Sequence, residues 1–189
     1  MFLSATDIKK IGFKKVGEDV RIDASAVFFH PENISLGSHV RIDGHAMLTA
    51  TDSIEIGSHV HISWGCLIFG EAPIIFEDFS SLAPRVSIFG GSDDYTSGAL
   101  TNPTVDKDLR HVKSGPVHLC RHVIIGTGTV ISPNVTIGEG TAVGALSLVN
   151  WSLPEFRLCI GNPAKPILPR DKENLLKNEA EMLLREKKA

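Results

Sequence analysis

The chain has 189 residues, 42% of them apolar and 22% charged, with a formal net charge of −3. That is the make-up of one soluble domain with a sizeable core, and the negative balance excludes a broad electrostatic attraction to nucleic acid or to an anionic membrane. No uninterrupted apolar run opens the sequence, so neither a secretory leader nor a membrane span is expected, and the cytoplasm is the expected location.

From Val16 the chain repeats itself at a spacing of twenty residues, and within each block apolar anchors fall six apart: Val16, Ile22, Phe28; Leu36, Ile42, Leu48; Ile56, Ile62, Ile68; Phe76, Leu82, Ile88. A second small or apolar residue follows many anchors by four, as at Val20, Ala26, Val40, Ala46, Val60, Cys66 and Val86. A period of six fits neither an amphipathic helix nor an alternating strand. It fits a solenoid in which each unit is a short strand and a corner, three units make a triangular coil, and two extra residues per early coil widen one corner. Gly17, Gly37 and Gly57 directly follow anchors and are expected to relieve the turn.

Between Ile88 and Val117 the rhythm stops. An insertion of this length (89–116) in a compact repeat is usually functional. It carries Asp93, Asp94 and Tyr95, and Leu100, Val105, Leu109 and Val112 supply apolar groups with which it can dock.

The beat then returns without the additions, at Leu119, Ile125, Ile131, Ile137, Val143 and Val149. Residues 151–170 leave the repeat and are expected to wrap back over the coil, completing a domain of residues 1–170. Residues 171–189 predict a helix, with Asp171 as its cap and an apolar stripe of Leu176, Ala180 and Leu183. Cys66, Cys120 and Cys159 are far apart with no CxxC, and read as small fillers. His39 and His59 hold equivalent places in successive coils and are expected to stack on the outer wall; His111, His118 and His122 lack a metal-binding spacing, so no metal is expected.

The hexad pattern resembles the hexapeptide-repeat acyltransferases. Their fold is an all-β, left-handed parallel β-helix, here expected with the long loop insertion and a C-terminal helix. The segments IGSHVHISWGCLI, FEDFSSLAPRVSI, RHVIIGTGTVISPNVTIGEGTAVGALSLV and GNPAKPI look most like the galactoside and maltose O-acetyltransferase branch. The resemblance implies a homotrimer and a groove that takes acetyl-CoA. The acceptor is then a hydroxyl or amino group of a sugar or sugar nucleotide, in surface polysaccharide (O-antigen or capsule) synthesis. Transfer is direct, within a ternary complex.

Residue by residue, the resemblance lays the pantetheine arm along Gly126, Thr127, Gly144 and Ala145. It sets Asn150 and Trp151 at the far end of CoA, and Lys165, assisted by Arg170, near its phosphates. Ser63, Trp64, Arg85 and Tyr95 fall to the acceptor. The branch keeps a catalytic histidine in a Gly-His-Pro setting after a segment like LAPRVSI; here Ser92-Asp93-Asp94 stand there instead.

A solvated aspartate, with a pKa of about 3.9, is a poor base at neutral pH. Two close carboxylates resist ionising together, which would raise one of the pair and make Asp93 or Asp94 a base. The same two acids suit turn and capping roles in a Gly-Ser-Asp-Asp loop equally well. His61 is the second candidate base, and an amino acceptor would need mainly alignment with the thioester. Two alternatives stay open: a non-catalytic trimeric scaffold that has lost the base, and a gamma-carbonic-anhydrase-like metalloprotein.

Overall fold

The structure is a computed structural model and describes residues 1–187. Every hexad becomes a strand of two or three residues, and the strands stack into three parallel ladders. The first face contains Ile34–Leu36, Ile54–Ile56, Ile74–Phe76, Val117–Leu119 and Val135–Ile137. The second contains Arg41–Ile42, His61–Ile62, Ser81–Leu82, Ile124–Ile125 and Ala142–Val143. The third contains Met47–Thr49, Leu67–Phe69, Ser87–Phe89, Val130–Ile131 and Leu148–Val149.

The register reproduces both spacings. Ile34 pairs with Ile54 and Ile54 with Ile74, whereas beyond the loop Val117 pairs with Val135. The two extra residues of the early coils lie at the corner between the third and first faces, where His30–Asn33 separate Phe29 from Ile34. The insertion leaves from that same corner. Val117 resumes beside Ile74 as though nothing intervened.

All eighteen anchors except Val16 and Phe28 are buried. Removing each from water contributes about 1.5–3 kcal/mol. Val16 belongs to the outermost coil and stays 39% exposed. Phe28 is covered edge-on by Phe13, at 4.9 Å between ring centres. The open end of the core is closed by a short helix, α1 (Ala5–Ile11), which the hexad pattern did not predict. Its N-terminus is capped by Ser4, whose hydroxyl accepts from Asp7 N–H at 3.2 Å, and its Ile8 is buried in the core.

Beyond the first coil the fourth residues are buried too, and the later polar ones are satisfied: Thr129 Oγ1 donates to the Gly144 carbonyl at 3.1 Å and Ser147 Oγ to the same carbonyl at 2.7 Å. All three cysteines are free; Cys66 and Cys159 are buried filler.

The glycines after the anchors serve a different purpose from the one expected. The left-handed corner positions are held by His39, His59, Phe79 and His122 on one edge, and by His45, Gly65, Arg85, Gly128 and Leu146 on another. Gly37 does not adopt a positive φ; a Cβ there would lie 2.5 Å from the Gly57 backbone, so glycine is required by the close approach of successive coils.

The segment after Val149 follows the repeat further than expected. Arg157–Ile160 adds a parallel strand to the second face, with Leu158 opposite Ala142, and Lys165–Pro169 turns back antiparallel along it. Helix α2 (Lys172–Glu186) follows, with the Asp171 carboxylate accepting from Asn174 N–H at 3.0 Å. It lies along the corner between the first and second faces. There Glu179 accepts from Arg121 Nε at 2.8 Å and contacts His122 Nε2 at 2.9 Å. No helix among the described residues is long and apolar enough to cross a membrane.

Candidate active site

The insertion is built on an antiparallel ribbon, Gly91–Asp93 against Val112–Ser114, with Asp93 opposite Val112. One more step along the register brings Asp94 beside His111, where Asp94 N–H donates to the His111 carbonyl at 2.9 Å. Between the ribbon and the coil lies a cavity of about 650 Å³, walled by Asp93, Asp94, Tyr95, His111 and Lys113 on the loop side and by Ser132, Pro133 and Asn134 on the coil side. A second hollow of about 340 Å³ continues from it down the third face, past Phe89, Val130, Leu148 and Asn150, and shares Ser92, Tyr95, Ser132 and Pro133 with the first.

The two acids are not equivalent. Asp94 is buried, with only 5% of its side chain exposed, and Lys113 Nζ sits 2.8 Å from Oδ1. The same oxygen accepts from Thr96 N–H and from the Thr96 hydroxyl, and Oδ2 lies 3.2 Å from His111 Nδ1. Lys113, then the Thr96 donors, hold the carboxyl well below the usual range despite burial. The mutual repulsion expected to raise one acid is therefore overridden at Asp94, which is locked in its charged form and cannot accept a proton near neutrality. Asp93 is half-buried; its Oδ2 accepts from Asn102 N–H at 3.0 Å, and it makes no ion pair among the described residues. Both acids thus brace the loop, as the turn-and-capping alternative requires, while both still line the cavity.

The other candidates occupy distinct places. His61 lies on the second face with Nε2 2.8 Å from Asp43 Oδ2, and it does not border the large cavity. Burial raises the Asp43 carboxyl, but the hydrogen bonds from His61 and Arg41 prevail and lower it. Ser63 is buried next to it, whereas Trp64 is 44% exposed. The Arg85 guanidinium stacks on Trp64 at 5.2 Å, and His45 meets Trp64 edge-on at 5.7 Å. This cluster forms the upper part of the corner between the second and third faces. Gly126, Thr127, Gly144 and Ala145 continue the same corner below it, where Gly126 is fixed by coil contact, a Cβ there meeting Ala145 N at 2.4 Å.

Asn150 and Trp151 follow the last strand of the third face and stand at its opposite edge, where Asn150 joins Ser92 and Tyr95 rather than the glycine corner. Lys165 is exposed on the returning strand. Arg170 is placed differently from its expected role. Its Nη1 donates to the carbonyls of His122 and Gly140, both at 2.9 Å, so it staples the corner on which α2 lies and faces away from the glycine corner.

The stacking expected of the wall histidines is present. His39 and His59 stack at 4.7 Å, and the ladder runs on through Phe79 to His122. His118 faces outward and contacts Glu77 at 2.7 Å while His122 is buried, so the two do not converge on one site. Sequence reasoning missed His111 as a partner of Asp94. The signal was there only once residues 91–93 were known to pair with 112–114.

No family model matches the chain. It is 37% identical over 175 residues to the dTDP-4-amino-4,6-dideoxy-D-glucose acyltransferase of Escherichia coli, covering 92% of this chain and 91% of that one. It superposes with a TM-score of 0.91 on AntD, an N-acyltransferase from Bacillus cereus solved with dTDP and 3-hydroxybutyryl-CoA, at 38% identity over 97% of this chain and 98% of that one. A maltose O-acetyltransferase from Clostridium difficile matches with a TM-score of 0.61 at 23% identity, covering 88% of this chain and 75% of that one, a likeness of fold alone. The repeat, the loop and the near full-length similarity agree: the chain belongs to the hexapeptide-repeat β-helix acyltransferases and is an acyl-CoA-dependent enzyme.

Proposed function

We propose that this chain transfers an acyl group from acyl-CoA to the 4-amino group of dTDP-4-amino-4,6-dideoxyglucose, for a surface glycan. The observation that carries the reading is the near full-length likeness to AntD, a mutant of which has been solved with that aminosugar nucleotide and coenzyme A and matches this chain at 38% identity with a TM-score of 0.93. The site's chemistry agrees. Asp93, which makes no ion pair among the described residues, lines the cavity and suits an acceptor that arrives as an ammonium. The half-exposed Trp64 ring, with Arg85 stacked over one face, suits a thymine and its diphosphate. Near full-length similarity to acyltransferases favours the enzyme over the scaffold and metalloprotein alternatives.

In this reading the acyl-CoA follows the glycine corner at Gly126, Thr127, Gly144 and Ala145, with Lys165 near its phosphates. We also infer a homotrimer. The outer side of the third face is apolar, with Val27 42%, Phe29 50% and Val130 37% exposed, and the loop residues Tyr95, Leu100 and Leu109 are 88%, 52% and 52% exposed. A neighbouring copy would cover both and complete the groove.

Thiol release tests the activity, with acetyl-CoA and 3-hydroxybutyryl-CoA as donors and dTDP-4-amino-4,6-dideoxyglucose against its 4-hydroxyl counterpart as acceptors. The amine alone is expected to turn over. Turnover of the hydroxyl sugar alone would return the O-acetyltransferase reading. Light scattering of the purified protein reads the trimer directly.

A further inference from the structure

We propose that His111 is the general base of the transfer, held in place by Asp94, and so takes the part of the histidine missing from the loop's outgoing arm. This rests on the aminosugar-nucleotide reading above. His111 enters from the returning arm, directly across the ribbon from Asp94, and its Nδ1 lies 3.2 Å from Asp94 Oδ2. Asp94 itself is buried, charged and anchored by Lys113 and Thr96, so it can fix the ring but cannot take a proton. The His111 side chain is 59% exposed and lines the large cavity, which leaves Nε2 for an acceptor there. A fixed carboxylate beside one ring nitrogen stabilises the imidazolium that forms as the other nitrogen takes the proton.

Other candidates carry less. His61 has a similar carboxylate partner in Asp43, but that contact uses Nε2 and the large cavity does not reach it. Glu77, His118 and Cys120 bring three potential metal ligands within 4.8 Å of one another, with no feature that points to a bound ion.

The step balances. The acceptor ammonium gives one proton to His111 Nε2, and the freed amine attacks the thioester carbonyl. The C–N bond forms and the C–S bond breaks. The thiolate leaves with the second nitrogen proton as CoASH. The charged and titratable groups facing His111 are Asp93, Asp94 and Tyr95 from the outgoing arm and Lys113 from its own arm; Ser132, Pro133 and Asn134 on the coil side carry no charge.

The test compares wild type, H111Q, H111A and D94N with dTDP-4-amino-4,6-dideoxyglucose and acetyl-CoA, following kcat/KM against pH and CoA affinity by calorimetry. H111Q is expected to lose roughly 10²–10⁴-fold in kcat/KM near neutral pH. It should keep its CoA affinity and recover part of the rate in alkali, as the acceptor loses its proton unaided. Added imidazole is expected to rescue H111A. D94N should lose rate with the acceptor KM little changed. H111Q within about twofold of wild type, with D94N inactive, would overturn the proposal in favour of a direct role for Asp94. A wild-type enzyme that acylates no aminosugar nucleotide would remove the functional reading itself, and the base assignment with it.

Discussion

Lys113 Nζ lies 2.8 Å from Asp94 Oδ1, and the two residues belong to opposite arms of the same ribbon. This contact ties the outgoing chain to the returning chain at the point where the loop opens towards the cavity. The carboxylate is shielded from water, so the pair is screened less than a surface bridge would be.

Lys113→Met therefore has a defined consequence. Asp94 keeps only Thr96 and His111 as partners, and its ionisation moves back towards the usual carboxylate range. In wild type the depressed ionisation means that the contacts of Asp94 stabilise the loop above the ordinary carboxylate pKa and are lost as pH falls towards the depressed folded value. Hydrogen exchange of residues 94–111 should stay slow down to about pH 5 and rise in stronger acid. In the Lys113→Met variant that rise is expected at higher pH. An unchanged exchange profile would show that the ribbon closes without the ion pair.

Glu179 ties the C-terminal helix to the solenoid at Arg121 and His122. Burial raises the Glu179 carboxyl, yet its hydrogen bonds with Arg121 and His122 prevail and lower it. Glu179→Gln removes the charge that Arg121 and His122 face, and is expected to cost about 1–3 kcal/mol. That corresponds to a fall in Tm of roughly 3–10 °C for a chain of this size. The wild-type contribution is present above the ordinary carboxylate range and lost in acid, so the gap in Tm between the two proteins should shrink as pH falls. Calorimetry at several pH values measures it.

Two glycines with different reasons for being glycine should respond differently to alanine. A Cβ added at Gly12 would meet nothing within 4 Å, but φ there is +87°, so Gly12→Ala costs about 1 kcal/mol in backbone strain. Gly37→Ala would set a Cβ 2.5 Å from the Gly57 backbone, and coil spacing must yield, at a cost of about 3 kcal/mol or more. Urea unfolding of the two variants gives the order; equal midpoints would contradict it.

Trp64→Ala should discriminate between acceptor and donor. If the thymine stacks on the exposed ring, its loss is expected to raise the acceptor KM roughly 5- to 150-fold, the equivalent of about 1–3 kcal/mol of stacking. The KM for acyl-CoA should stay within about twofold if the donor follows the corner at Gly126 and Gly144, as proposed above. A matched rise in both values would place Trp64 outside the acceptor's subsite.

The scaffold was legible in the sequence because solenoid geometry depends on local repetition. Each anchor from Ile22 to Val149 announces itself by its spacing, and even the change from twenty to eighteen residues per coil appears directly in the strand register. The helix α1 was not legible, since seven residues with one buried side chain, Ile8, leave too little periodicity to read. The role of Gly37 was misread because a close approach between coils has no local mark that separates it from a turn. The site was legible only in part. The DDY stretch stood out as an interruption, but the behaviour of Asp94 depends on Lys113, and that pairing requires knowledge of the ribbon register. Arg170, which the resemblance sets near the CoA phosphates as an aid to Lys165, meets two backbone carbonyls that nothing in the sequence marks.

The corner from which the loop departs is also the corner that absorbs two surplus residues in the earlier coils. Val117 settles against Ile74 whatever the length of chain between Ile88 and the next face, so that corner is a place where sequence can be added or exchanged without disturbing the stacking of the rest. The fold thereby separates two inheritances. The coil can stay constant as a stack, while the wall of the cavity that residues 89–116 supply can be rewritten in a single contiguous stretch, and a graft of that stretch from another such enzyme is the natural unit in which to exchange it.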